Sequence, residues 1–250
     1  MPRLPRHAVF ATLTLVSLLG LSSSAQAQTS SSPWSVDFAI GWDNDIAGSI
    51  NSSAIGTLNN QSVVILKNTY EDVYGTGLHL RGGVGYQPNG TNREYRATLT
   101  FQSLDADDVV PMGDIGLSKL YAKYSDYQAF SLDLGIREYY DLRSRLQGYA
   151  DGTVGLGFVD KIDAQLVAPS ANLNRQANDL YDQSVAFSIG ANGGLLFQQT
   201  DRLGLFVQMG LRWVSGLAEV DDLVGTGLET LNDKSSRWTV PFLVGARLKF

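Results

Sequence analysis

Counting back from the last residue in steps of two gives Phe250, Leu248, Ala246, Val244, Phe242, Val240 and Trp238, an unbroken apolar series. Between them stand Lys249, Arg247, Gly245, Leu243, Pro241, Thr239 and Arg237, mostly polar or small. A period of two belongs to an extended strand with one apolar face and one polar face. A soluble sandwich can use such a strand against its core. Recurrence of the pattern along the whole chain favours a transmembrane barrel, whose lipid-facing and lumen-facing residues alternate. Helices offer no other route across a bilayer, because no apolar stretch beyond Ala27 reaches the ~20 residues a spanning helix needs.

The N-terminus reads as an export signal. Arg3 and Arg6 precede an apolar run from Ala8 to Gly20, then a serine cluster, then Ala25-Gln26-Ala27 as a small-x-small cleavage site. We therefore divide the chain into a signal peptide at 1–27, cut after Ala27, and a barrel domain at 28–250. The chain has no cysteine, which excludes a lipoprotein anchor, disulfides, thiolate metal sites and a cysteine nucleophile. Cleavage removes two of the 19 basic residues and none of the 25 acidic ones, leaving 17 against 25, a formal charge of -8. An acidic chain does not suit nucleic acid, whose phosphates require a basic surface.

Seven further segments repeat the alternation. They are led by Trp34 to Trp42, Leu78 to Tyr86, Tyr95 to Phe101, Phe130 to Tyr140, Gly148 to Phe158, Val185 to Phe197 and Leu203 to Trp213. Glu138 breaks the apolar face of its strand and is placed at the headgroup boundary. The expected fold is an all-β, eight-stranded antiparallel transmembrane β-barrel. Its connections alternate in length. Short ones run Asn89 to Asn92, Asp141 to Arg145 and Gln199 to Arg202, and long ones run Asp43 to Gly75, Asp105 to Gln128, Val159 to Gln183 and Leu217 to Ser236. Outer-membrane barrels have short periplasmic turns and long extracellular loops, so both termini are expected in the periplasm. Ser62 to Lys67 and Leu117 to Ala122 also read as strand-like, and counting them gives ten strands. Eight preserves the alternation, with those segments as β-structure in the loops or as strand extensions above the membrane. Trp34, Tyr86, Tyr95, Tyr140, Phe197 and Phe250 then form one aromatic girdle, and Trp42, Phe101, Phe130, Phe158, Trp213 and Trp238 the other.

An eight-stranded barrel is just wide enough for its own side chains to fill. The inward positions hold Asp37, Glu94, Asp133 and Asp151 with Arg81, Arg96, Arg137, Arg212, Arg237, Arg247 and Lys249. Confined charges must pair, so a network of Asp37, Arg81, Glu94, Arg96, Asp133, Arg137, Asp151, Arg212 and Arg247 is expected as a plug, the alternative being a solute path. Barrel closure places Asp37 and Arg247 at similar heights, which makes them the best-specified pair. Only His79 survives signal cleavage, pointing into the lumen, and it reads as part of the plug rather than a catalytic base. Loop carboxylates Asp43 and Asp45, Asp105, Asp107 and Asp108, and Asp221 and Asp222 could bridge divalent cations, but no spacing matches a calcium loop. Gly82-Gly83-Val84-Gly85 lacks the helix and lysine of a phosphate loop. No cofactor motif is present.

With these features in place, the signal peptide, the alternating strands and the stretch from Arg237 to Phe250 resemble the OmpA-like outer-membrane β-barrel proteins of Gram-negative bacteria, in the barrel-only form. The resemblance implies residence in the cell outer membrane among its lipids and lipopolysaccharide, and delivery there by the barrel-assembly machinery, which would read Phe250. It does not transfer a role, because one fold serves many functions. The reading favoured is a non-enzymatic barrel displaying four mobile acidic loops to an unspecified ligand. A narrow solute channel and a lipid-modifying enzyme are the alternatives.

Overall fold

A computed structural model describes residues 32–58, 60–107, 109–171, 173–220, 228, 231–232 and 235–250, with backbone alone at 171 and over 173–179. The expected signal peptide, including Ala25 and Ala27, lies outside the described residues, as do Asp108, Asp221 and Asp222. The described chain forms one compact unit, Ser32–Phe250.

Eight long strands make the wall. They are β1 (Trp34–Asn51), β5 (Gly77–Tyr86), β6 (Arg93–Leu104), β9 (Tyr127–Arg143), β10 (Leu146–Val159), β13 (Ser184–Gln198), β14 (Leu203–Val214) and β15 (Arg237–Lys249). Each pairs antiparallel with its neighbours in that order, and β15 closes onto β1 from Ser35 opposite Lys249 to Gly48 opposite Arg237. Closure removes every free edge, the condition for a sheet to stand in hydrocarbon. The eight-strand expectation holds, and the three short connections join β5 to β6, β9 to β10 and β13 to β14.

The outer surface is apolar as the alternation requires. Phe38, Leu99, Leu134, Leu156, Ile189 and Val207 all stand exposed on the wall. A soluble protein does not tolerate so continuous a patch, whereas lipid does. The aromatic girdles form across strands: Trp34 lies 5.0 Å from Tyr86, Trp42 stacks on Phe242 at 4.7 Å, and Phe101, Phe130 and Phe158 sit opposite one another on three adjacent strands. Glu138, at one end of this surface, is held by Arg93 of the next strand, whose Nε donates to it at 2.6 Å.

The seam between first and last strands is tight at Gly41, Gly48 and Gly245, and tightest at Gly41. A Cβ on Gly41 would collide with the backbone carbonyl of Phe242, and backbone has no rotamer with which to yield. Gly41→Val is therefore expected to prevent closure. The unheated protein should lose its compact, fast-migrating gel band, and an unchanged band would contradict this reading of the seam.

The long connections depart from expectation. Instead of mobile loops, three of them fold into hairpins that join as a second sheet. Its strands are β2 (Ala54–Leu58), β3 (Gln61–Ile65), β7 (Val110–Ile115), β8 (Ser118–Tyr124), β11 (Ile162–Ala168) and β12 (Leu173–Tyr181), in the order β12-β11-β8-β7-β3-β2. The strand-like segments Ser62 to Lys67 and Leu117 to Ala122 supply β3 and β8, so they belong to the connections and not to the wall. A two-residue strand β4 (Asn68–Thr69) pairs with the far end of β1. The single helical turn α1 (Tyr70–Val73) follows, capped reciprocally by Thr69 and Asp72.

One face of this cap sheet is apolar. Val63, Ile65, Met112, Ile115, Leu120, Ala122, Ala164 and Leu166 are buried together with wall residues Leu104, Tyr127 and Val159 and with Leu217, Leu228 and Leu231 of the fourth connection. Full burial of each large aliphatic side chain contributes about 1.5–3 kcal/mol, so the connections carry a core of their own. Tyrosine hydroxyls stitch it to backbone: Tyr181 donates to the Ile50 carbonyl at 2.7 Å, Tyr70 to that of Ser235 at 2.9 Å, and Tyr74 to that of Ser125 at 3.1 Å. Burial raises the Tyr70 and Tyr74 hydroxyls well above the usual tyrosine range, so these bonds persist through ordinary alkaline conditions.

Candidate functional site: the barrel lumen

Inward positions of the wall bring charge together in quantity. Among the described residues six arginines (Arg81, Arg96, Arg137, Arg212, Arg237 and Arg247) and six carboxylates (Asp37, Asp43, Asp45, Glu94, Asp133 and Asp151) are buried, a formal balance of zero. Lys249, also expected inside, is only half-buried at the rim.

The arrangement has layers. Nearest the short turns, Glu94 accepts from Arg247 at 2.6 Å, from the Tyr139 hydroxyl at 2.6 Å and from Ser35 at 2.7 Å, while Arg247 also donates to Tyr139. In the middle, Arg96 binds Asp37 and approaches Asp151 at 3.4 Å. Arg137 donates twice to Asp151, at 2.6 and 3.0 Å, and once to Gln208 at 3.0 Å, and Gln208 also accepts from Arg81 at 2.9 Å. Higher up, Asp133 accepts from Arg212 at 3.0 Å, Ser131 at 3.0 Å and Ser188 at 3.1 Å. Under the cap, Asp43 accepts from Gln102 and lies 3.6 Å from His79 Nδ1, and Asp45 lies 3.6 Å from Arg237. Charge-assisted bonds of this kind gain strength in surroundings of low dielectric.

All nine residues expected in the network are inside, but one pairing differs. Asp37 and Arg247 face each other across the β1–β15 seam as anticipated, yet they do not bond. Asp37 takes Arg96, and Arg247 takes Glu94 and Tyr139. Directly opposed side chains in a coiled wall project into the lumen side by side, and long guanidinium stems reach further partners across it. Asp43 and Asp45 are also relocated. β1 continues past the expected end of its strand to Asn51, which carries both carboxylates inside, away from any cation at the surface. Among the described residues no group of three or more His, Asp or Glu could hold a metal ion.

Sequence reasoning missed an apolar layer. Ala39, Tyr139, Tyr149, Leu196, Phe206 and Leu243 form a second buried cluster inside the wall. Guanidiniums lie on its rings, Arg137 at 3.8 Å from the Tyr149 centroid and Arg247 at 4.9 Å from that of Tyr139, contacts favourable to cation and ring alike. Leu196, Phe206 and Leu243 occupy inward places in strands whose other inward residues are polar or small, and that inconsistency was the available signal.

A closed antiparallel barrel of eight strands, apolar outside and charged within, defines the class: a small transmembrane β-barrel of the outer-membrane type. No protein-family model matches the sequence, and no curated protein matches it. Among solved structures it is similar to Neisserial surface protein A, at 12% identity and a TM-score of 0.47, over 88% of this chain and 98% of that one. The N-terminal β-barrel domain of Pseudomonas aeruginosa OprF shares 12% identity at a TM-score of 0.35, over 87% and 98%. The outer membrane protein OprG of the same organism shares 10% at 0.39, over 90% and 100%.

Proposed function

We propose that the protein is a non-enzymatic integral barrel of the cell outer membrane, exported through the cleaved signal peptide, with both termini in the periplasm and the cap on the outside. In this reading it braces the membrane and presents a folded acidic surface, and its lumen is a plug. The observation that carries it is the balance of six buried arginines against six buried carboxylates, crossed by the apolar layer and roofed by the cap core. A path for ions would need polar wall and water from end to end. Sixteen of the 25 acidic residues fall in the long connections of the sequence after Asn51, against six basic ones, which makes those connections acidic. Its partners would be lipid and lipopolysaccharide along the wall and the barrel-assembly machinery at Phe250. His79 is buried beside Asp43 and reaches neither lipid nor solvent, which favours a structural role for it.

Two measurements test this. Membrane fractionation with heated and unheated gel mobility should find a heat-modifiable protein in the outer membrane, and purified protein in planar bilayers should show no discrete conductance. Regular single-channel steps would replace the plug with the channel reading. A change in lipid A or phospholipid masses when the protein is expressed would replace it with the enzyme reading.

A further inference from the structure

The luminal charges balance overall but not locally. In the middle layer Arg81, Arg96 and Arg137 share Asp37 and Asp151, and Glu94, 3.9 Å from Arg96, already holds Arg247. Arg81 is the one left over. Among the described residues its only polar partner within bonding distance is the neutral Gln208, and its Nε, fully buried, bonds to nothing. A buried guanidinium without a counter-charge costs several kcal/mol, so an arginine here calls for an explanation.

Arg81 borders a cavity of about 30 Å³ whose wall also includes His79, Thr98, Thr100, Asn192 and Arg212. Its two cations are Arg81 and Arg212, while Thr98 and Thr100 donate to Asp133 and Asn192 donates to Asp151. The one carboxylate on it, Asp133, has both oxygens engaged, Oδ1 by Arg212 and Ser188 and Oδ2 by Ser131 and Thr100. A space of this size admits a single small ion. Two guanidiniums repel a cation.

We propose that this cavity is a binding site for one small monovalent anion of halide size, held between Arg81 and Arg212 and completing the charge balance of the middle layer. The cavity lies in the lumen between the cap core and the Glu94–Arg247–Tyr139 layer and is partly open, so the ion exchanges with solvent. A group that binds the folded state and not the unfolded chain stabilises the fold by an amount that grows with the logarithm of its concentration above the dissociation constant.

Protein refolded from urea into detergent with millimolar sodium bromide, then crystallised, should show anomalous bromine density between Arg81 and Arg212. The heat-modified gel transition should rise by several degrees as chloride or bromide replaces gluconate at equal ionic strength. Arg81→Gln should remove that dependence. If this variant fails to fold, the density in the unsubstituted protein decides alone. A cavity without anomalous density in bromide-refolded crystals overturns the proposal, as do identical transitions in halide and gluconate.

Discussion

Arg137→Leu is expected to destabilise the barrel by about 3–5 kcal/mol, the range found when one member of a buried ion pair is removed. Arg137 is among the largest fully buried side chains, and three bonds converge on it: two to Asp151, one to Gln208. Leucine leaves Asp151 with Asn192 at 2.6 Å and the longer bond to Arg96 at 3.4 Å, and takes the cation from the face of Tyr149. The effect should appear as a lower heat-modified gel transition and a lower urea midpoint in detergent. Adding Asp151→Leu should return part of the loss, since two apolar residues no longer strand a charge. If Arg137→Leu unfolds like the unsubstituted protein, the luminal network is not what holds the wall, and the plug reading loses its energetic basis.

How much of this was legible beforehand depended on which solvent each segment meets. Lipid imposes a strict rule, an apolar residue at every second place, so the eight wall strands could be read from residues such as Leu132, Leu134 and Ile136 or Val185, Phe187 and Ile189. The lumen was half legible. Inward placement of Arg96 or Asp133 follows from the same alternation, but the partner each finds depends on strand stagger and stem length, which is why Asp37 meets Arg96 and not Arg247. The cap was the least legible. Its strands run five to nine residues with small or polar members, as in Ala54–Leu58, and its three hairpins are joined only by pairings distant in sequence, β3 with β7 and β8 with β11. Period two over so short a run does not distinguish a strand from a loop. Tyrosine density was a usable sign, since Tyr70, Tyr74, Tyr124, Tyr127 and Tyr181 crowd connections that a purely solvated loop would have no reason to fill with rings.

Ile115→Asp should release the cap without opening the barrel. Ile115 is buried in the apolar cluster, opposite Val63 on the neighbouring hairpin, and a carboxylate there without a partner costs at least about 3 kcal/mol. Isolated hairpins of this length are marginal in water, so the three must hold one another. Loss of the β3–β7 contact therefore spreads through the sheet. The wall has no such dependence, because its hydrogen bonds close on themselves around the cylinder. Trypsin provides the readout, as Lys67, Lys119, Lys123 and Lys161 all lie in the cap connections. Cleavage that follows the open population should accelerate about a hundredfold for that loss, while the trimmed barrel stays heat-modifiable. Leu117→Asp, at the fully exposed turn between β7 and β8, should leave the rate unchanged. Equal cleavage of the unsubstituted protein and Ile115→Asp would mean that the connections are loops after all, and joint loss of cap and heat-modifiability would mean that the two cores fold as one.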